Sequence, residues 1–401
     1  MGGYDNREVP WPTAAPGDVG IDGTVLEAVD ERQTVGHPWL DSLVVVRRGQ
    51  LVWERHYNGT THETQHELKS ATKSFFSLLV GAAIERGVVG LDTRLAEHLD
   101  RYVDRDGVDP RKGEITLGAC LAMRSGLAWV DNDERAMRWL VSDDPVAFSF
   151  SEEQPVAAPP GTTTTYSSAD SQLAAACLAS ASGRSLSELA QQWLLEPIGA
   201  GPWQWPSRPH EVLGRDLELA GSELRLQATD HARLGELVLR GGRWGGHQIV
   251  SEDWIRRATT RQEGLDLAAG RAVSTREQHP IHAVKDGYGL HWWLGRFRGH
   301  EAILATGYGG QYCFVVPALE LVVVHHARLF YEPELIEMLD DGMRRGVVDQ
   351  LGRQVGPGGV EWSAQIGRRM QDLRAGKPIA DGFVGGLVLM NDVIVPAVDD
   401  A

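Results

Sequence analysis

Cysteine and lysine are the scarce residues of this 401-residue chain. The three cysteines, Cys120, Cys177 and Cys313, lie far apart. That excludes an even disulfide framework and a closely spaced pair of metal-ligating thiolates; they read as small buried apolar residues. Lysine occurs only at Lys69, Lys73, Lys112, Lys285 and Lys377, although arginine is plentiful. Positive charge is short overall: the formal net charge is -16. Nucleic-acid phosphates and anionic lipid are repelled on average by such a surface, so neither nucleic acid nor membrane is an expected partner. No run of 18 apolar residues occurs, so no membrane span is expected. The opening stretch MGGYDNREVPWPTAAPGDVGID has no basic start followed by an apolar core, and Asn6 breaks the myristoylation pattern. A cytoplasmic location is the expectation.

What is present is ordinary globular material, 42% apolar and 23% charged, enough for a large core. Strand-like runs cluster at the two ends. SLVVVRRGQLVWERHY reads as a hairpin around Arg48-Gly49-Gln50, and YCFVVPALELVVVHHA as two strands around Pro317-Ala318. YGLHWWLG and EAILATG read as two more strands. Between them lie helical stretches separated by Gly/Pro-rich loops. SSADSQLAAACLASASG and SLSELAQQWLLEPIG each stop at glycine, and TDHARLGELVLRGG has Thr229 or Asp230 as its cap. A last helix is expected within 332–348. This pattern predicts an α+β fold: residues 1–90 and 280–350 complete one antiparallel sheet, and 91–279 form a mostly helical inserted region. Residues 351–401 read as an extension packed on the body or on a second subunit.

Residues 62–74, HETQHELKSATKS, carry two catalytic signatures almost in contact. His62 and His66 fit H-E-x-x-H, a zinc-peptidase pattern that needs both imidazoles on one face of a buried helix. Here Asn58-Gly59 is a turn signal, and no apolar residue occurs between Tyr57 and Leu68; this is the composition of an exposed connection. Ser70 and Lys73 fit S-x-x-K. They open an apolar helical run, SFFSLLVGAAIERG, closed by Gly87. At such an N-terminus the free N–H groups favour developing negative charge. A lysine one turn on faces the same way, and an amine taken out of water becomes a usable base. In a chain that otherwise prefers arginine, a lysine at this place points to its titratable amine.

Two further stretches extend the pattern. PPGTTTTYSSAD places Tyr166 and Ser168 in a loop before a helix, and LATGYGGQYCF places Ala305, Thr306 and Gly307 at a strand end before Tyr308. Taken alone, the plainer readings are a packed loop tyrosine and a simple turn. Taken in order, S-x-x-K, Y-x-S and a Thr-Gly strand end resemble the active-site set of the serine β-lactamase and penicillin-binding superfamily. The similarity is greatest to its class C-like branch, which includes esterases, D-aminopeptidases and 6-aminohexanoate-dimer hydrolases. AMRSGLAW, ATDHARLGELVLRGGRWGG, YGLHWWLG and GYGGQY look like the last of these, and the resemblance spans about residues 15–350.

The resemblance implies a β-lactamase/transpeptidase-like fold and a serine hydrolase acting on a small-molecule ester or amide, with no metal or cofactor. Ser70 is then the nucleophile, Lys73 and Tyr166 share its proton, and an acyl-enzyme forms and is released by water. Backbone N–H groups of Ser70 and Tyr308 hold the oxyanion, and Ser168 orients Lys73 or the substrate, with Thr306 and Gly307 lining the site. The sequence departs from the pattern at Ala305, where a lysine or histidine is usual, and at Ser168, where lactamases have asparagine. Both departures favour an esterase or amidase over a β-lactamase. Trp129, Trp139, Trp292 and Trp293 are candidates for an apolar cleft wall, with core packing as the plainer reading. Asp131, Asp133 and Glu134 could attract a cationic substrate or merely solvate a loop. A zinc metallopeptidase built on His62 and His66, and a non-catalytic penicillin-binding-like protein, are the alternatives.

Overall fold

The computed structural model describes residues 11–262 except 132 and 211, then 285–328, 337–338, 341–342, 344–345 and 382–398. Its strands in chain order begin with β1 (Leu40–Arg47), β2 (Gln50–His56) and β3 (Gln65–Glu67). Two small hairpins and one more strand come from the middle of the chain: β4 (Ser207–His210), β5 (Arg215–Glu218), β6 (Arg225–Gln227), β7 (Arg243–Trp244) and β8 (His247–Gln248). The last group is β9 (Lys285–Tyr288), β10 (Trp293–Phe297), β11 (His300–Gly307), β12 (Gln311–Val316) and β13 (Leu321–Ala327). Seven of these form one antiparallel sheet in the order β2-β1-β13-β12-β11-β10-β9. The two ends of the chain therefore meet at the β1–β13 pair, as the strand-rich termini predict.

The central strands β1, β12 and β13 are buried on both faces, and alternate residues serve two cores. Val44 and Val46 of β1 join Cys313, Val315, Val322 and Val324 on one face. Leu43 and Val45 join Phe314 and Val323 on the other. The first face packs on the helix Thr72–Glu85, whose residues from Thr72 to Ala83 are all buried, and on the helix Ala228–Leu239. The second face is covered by the helix Gly23–Glu31 and by the chain's end, which forms the helix Gly382–Val388 and runs on to Val398. Gly385 and Gly386 allow that helix to lie against the rings of Trp39, Tyr312 and His325. The extension, in its described part, is thus a layer of the body.

Some local expectations change. YGLHWWLG is a hairpin rather than one strand: β9 stops at Tyr288 and β10 starts at Trp293. Gly289 turns against the Ala258 carbonyl, which a Cβ would approach to 2.0 Å, and the Ser74 hydroxyl donates to the His291 carbonyl at 2.7 Å. These contacts come from segments remote in sequence. The helix at 228 has neither Thr229 nor Asp230 as cap, because β6 pairs with β3 and runs straight into Ala228. Asp230 instead accepts from the Gly201 N–H at 2.9 Å and from Arg233. Most of the expected helix in 332–348 lies outside the described residues. No helix of the described residues is long and apolar enough to cross a membrane.

Candidate active site

The S-x-x-K serine sits where β3 turns into the central helix. Lys69–Ala71 make a 3-10 turn, and the α-helix follows from Thr72. Lys69, immediately before Ser70, holds φ at 51°, a left-handed conformation costly for a side-chain-bearing residue. An ion pair to Glu67 at 2.8 Å helps hold it there. Lys73 is 1% exposed. Its amine is 3.0 Å from the Ser70 hydroxyl and donates to the Gly221 carbonyl at 2.9 Å.

Tyr166 and Ser168 come from the loop ahead of the helix Ser168–Ser182, capped by Ser167. The Lys73 amine lies 5.1 Å from the centroid of the Tyr166 ring, so the first two motifs converge. Ser168 opens the helix beside Gly221, but among the described residues the partners of the Lys73 amine are Ser70 and Gly221. Of the two alternatives expected of Ser168, a bond to Lys73 or to the substrate, the first is not seen among the described residues, where the Gly221 carbonyl is the acceptor.

The third stretch reaches the same place through a contact that only glycine permits. A Cβ on Gly307 would lie 2.1 Å from the Leu68 carbonyl oxygen. The end of β11 is therefore pressed onto the turn that carries Ser70. Tyr308 follows at the surface, 54% exposed, and Gly309 and Gly310 continue with positive φ. Ser70 stands in the first turn of its helix, where N–H groups have no intrahelical acceptor. Ser70 and Tyr308 lie one or two residues beyond the meeting point of Leu68 and Gly307.

Ala305 leaves no cation in the motif itself, yet one is present. Lys285, from β9, donates to the Thr306 hydroxyl at 2.9 Å. Its amine also lies 4.4 Å from the centroid of the Trp293 ring, which stacks on Tyr166 at 5.5 Å. Desolvation pushes the Lys285 amine down to about 7. Sequence reasoning marked Lys285 only as a rare lysine; nothing in its neighbours announces the reach across two strands.

Asp170 was also silent in the sequence. It is fully buried and accepts from the Ser125 N–H at 3.1 Å and the Ser125 hydroxyl at 2.7 Å, tying the MRSG loop to the start of the Tyr166 helix. Desolvation raises its carboxyl to about 7, against the pull of these hydrogen bonds.

Other candidates fall away. Trp129 is 5% exposed and packs edge-on against Trp139 in the helical core. Trp292 is buried as well, so Trp293 is the tryptophan that stacks on a motif residue. The H-E-x-x-H pair is not helical. His66 lies in β3, buried, with its Nε2 2.9 Å from the Ser42 hydroxyl, while the His62 side chain is 73% exposed. The two imidazoles share no helix face, and the described residues contain no group of three side chains arranged to hold a metal. Asp133 caps the short helix Glu134–Leu140, accepting from the Ala136 N–H at 2.7 Å, and Asp131 accepts from the Trp129 indole. These acids have structural roles in their own loop.

The Beta-lactamase family model matches residues 39–344. A 6-aminohexanoate-dimer hydrolase of Paenarthrobacter ureafaciens is 22% identical over 328 residues, 80% of each chain. Among solved structures, a Bacillus anthracis protein provisionally named a 6-aminohexanoate-dimer hydrolase aligns with TM-score 0.62 at 20% identity, over 86% of this chain and 88% of that one. EstCE1, a hydrolase with promiscuous acyltransferase activity, aligns with TM-score 0.58 at 17% identity, over 76% and 93%. These structures share the fold: a seven-stranded antiparallel sheet with helices on both faces.

Proposed function

This chain belongs to the beta-lactamase family of hydrolases, and we propose that it is a serine esterase or amidase working through an acyl-enzyme on Ser70. The observation that carries the reading is the buried Lys73 amine 3.0 Å from the Ser70 hydroxyl, with Tyr166 packed beside that amine. The Lys73 amine takes the hydroxyl proton as Ser70 Oγ bonds to the substrate carbonyl carbon. The carbonyl electrons move onto oxygen, held by the N–H groups of Ser70 and Tyr308. The bond to the leaving oxygen or nitrogen then breaks, and the proton held by Lys73 is relayed through the Tyr166 hydroxyl to it, which leaves both side chains as they began. Water adds to the ester on Ser70 by the same route and frees the acid.

Lys285 bears on the substrate. Ala305 alone disfavours a substrate with a negative end, but the amine at Thr306 restores a positive charge at the β11 strand end. A linear amide or ester bearing a free carboxylate suits this arrangement. A dimer of an amino acid such as 6-aminohexanoate, the substrate named for the Paenarthrobacter relative, has one amide and one carboxylate and is the first compound to assay.

Intact mass after incubation with a fluorophosphonate, beside a Ser70→Ala control, tests the mechanism. A single adduct absent from the control supports it. Equal labelling of both proteins would place the nucleophile elsewhere. Parallel incubation with penicillin G, with slow or no labelling, separates an esterase or amidase from a β-lactamase.

A further inference from the structure

Two adjacent histidines at the end of β13 grip the turn after β11 from opposite faces of the sheet. On the outer face, His325 Nδ1 is 2.7 Å from the Gly310 carbonyl oxygen. A carbonyl only accepts, so this Nδ1 carries the proton. On the inner face, His326 Nδ1 is 2.8 Å from Gln311 Oε1. The Gln311 amide nitrogen donates to the Ala327 carbonyl; its oxygen is therefore the acceptor, and His326 Nδ1 also carries the proton. His326 Nε2 is then a lone pair, and His231 Nδ1 approaches it at 3.4 Å. Both histidines of β13 are buried.

The inner histidine also reaches the serine side. Its ring stacks on His66 at 4.4 Å and 2°. His66 Nε2 is 2.9 Å from the Ser42 hydroxyl, which is 3.0 Å from His56 Nδ1, and His56 Nε2 is 2.8 Å from Glu54. His66 lies two residues before Leu68, whose carbonyl touches Gly307, and Gly307 pairs with Gln311. One network, buried at Ser42, His66 and His326, thus contacts both segments that lie beside Tyr308.

We propose that His325 and His326, as neutral Nδ1–H tautomers, are positioning residues that fix residues 307–311 so that the Tyr308 N–H meets the tetrahedral oxygen of the acyl-transfer step. This rests on the reading of Ser70 as nucleophile. Neither histidine touches the substrate; His325 acts through the Gly310 carbonyl and His326 through the Gln311 side chain. Two directional hydrogen bonds at neighbouring residues, to the Gly310 carbonyl and to the Gln311 side chain, fix the exit of the turn more narrowly than apolar packing would. Preorganisation of that donor is what oxyanion stabilisation requires.

The test compares His326→Leu, which removes the donor, with His326→Asn, whose amide nitrogen can take the place of Nδ1. Steady-state ester hydrolysis, the rate of Ser70 labelling by a fluorophosphonate and the inhibition constant of phenylboronic acid are measured for each. The Leu variant is expected to lose about 10- to 100-fold in kcat and in boronate affinity, less than the loss of a whole oxyanion donor, with little change in KM. The Asn variant should recover most of that loss. A folded Leu variant with wild-type kcat and boronate affinity, a loss confined to KM, or equal defects in Leu and Asn would overturn the proposal. Should His326→Leu not fold, Gln311→Met removes the acceptor instead and must show the same kcat and boronate defect; wild-type values there also overturn it. Absence of Ser70 labelling in the wild type defeats the hydrolase reading itself. Normal wild-type labelling matched by the Leu variant defeats only the positioning role.

Discussion

Gly307 lies against the Leu68 backbone where no side chain would fit: a Cβ at 307 would stand 2.1 Å from the Leu68 carbonyl oxygen and 2.9 Å from the Gln311 side chain. The contact joins the end of β11 to the turn bearing Ser70. Gly307→Ala forces these two segments apart, and the displacement acts on the oxyanion donors. We expect it to cost about 1–3 kcal/mol of stability, as overpacking does, and about 100-fold in kcat/KM, as a misplacement near 1 Å can. Thermal melting and ester kinetics check both. An Ala variant with normal kcat/KM would show that the contact does not set the site.

Lys73 separates a base from a bystander. Lys73→Arg keeps a charge that cannot be removed at working pH. It should lower kcat by about 10²–10⁴-fold even if circular dichroism shows a native fold. A Lys73→Arg enzyme of near-normal kcat would assign proton removal to Tyr166.

Lys285 predicts a pH effect confined to charged substrates. Burial lowers its amine to about 7, so it is cationic below that value and neutral above it. KM for a carboxylate-bearing amide should therefore rise as pH passes upward through about 7, while KM for a neutral ester stays flat. Lys285→Met should raise KM for the anionic substrate and remove the pH step. If Met and wild type give the same ratio of KM values for the two substrates, Lys285 does not read the carboxylate.

Buried imidazoles predict loss of stability in acid. Desolvation lowers His66, His231 and His291 to about 3 and His325 to about 4, and His326 lies well below its ordinary value. Below the ordinary histidine value near 6.5 the unfolded chain binds protons that the folded one refuses. Stability is therefore full above that pH and falls as pH drops toward the folded values. Asp170 acts oppositely: its carboxyl, raised to about 7, favours the fold most below the ordinary carboxylate range and loses that contribution as pH rises to about 7. His37 is lowered as well, and Asp41, Asp230 and Glu236 are raised like Asp170; six imidazoles against four carboxyls still predict urea midpoints that decrease from pH 7 to pH 5. Asp170→Asn should make that acid-side decline steeper. Midpoints that are flat or rise on acidification would contradict the burial of neutral histidines.

The legible and the hidden parts of this protein divide by range. Ser70 and Lys73 are one helical turn apart, and the apolar run after them fixes the helix, so their proximity follows from local periodicity. The hairpins are legible because short continuous apolar runs, SLVVV and YCFVV with LVVV, flank short turns. Lys285 was not, because its neighbours masked no motif and its amine arrives at Thr306 from two strands away. His325 and His326 stood in plain view in LVVVHHA, but their partners are supplied by the sheet register with β12 and by β3. The break in YGLHWWLG likewise depends on Ala258 and Ser74. Trp129 stands out by residue type alone and is buried in the helical core; His62 stands out by the H-E-x-x-H spacing, which a connection ending in β3 cannot present on one helix face.

The account turns on a covalent bond to one oxygen. Rapid mixing with a p-nitrophenyl ester, acid quench and peptide mapping should find a single acyl group on the peptide containing Ser70, formed in a burst faster than steady-state turnover and absent from Ser70→Ala. Turnover without any acyl group on that peptide, or a burst that survives in Ser70→Ala, would contradict it.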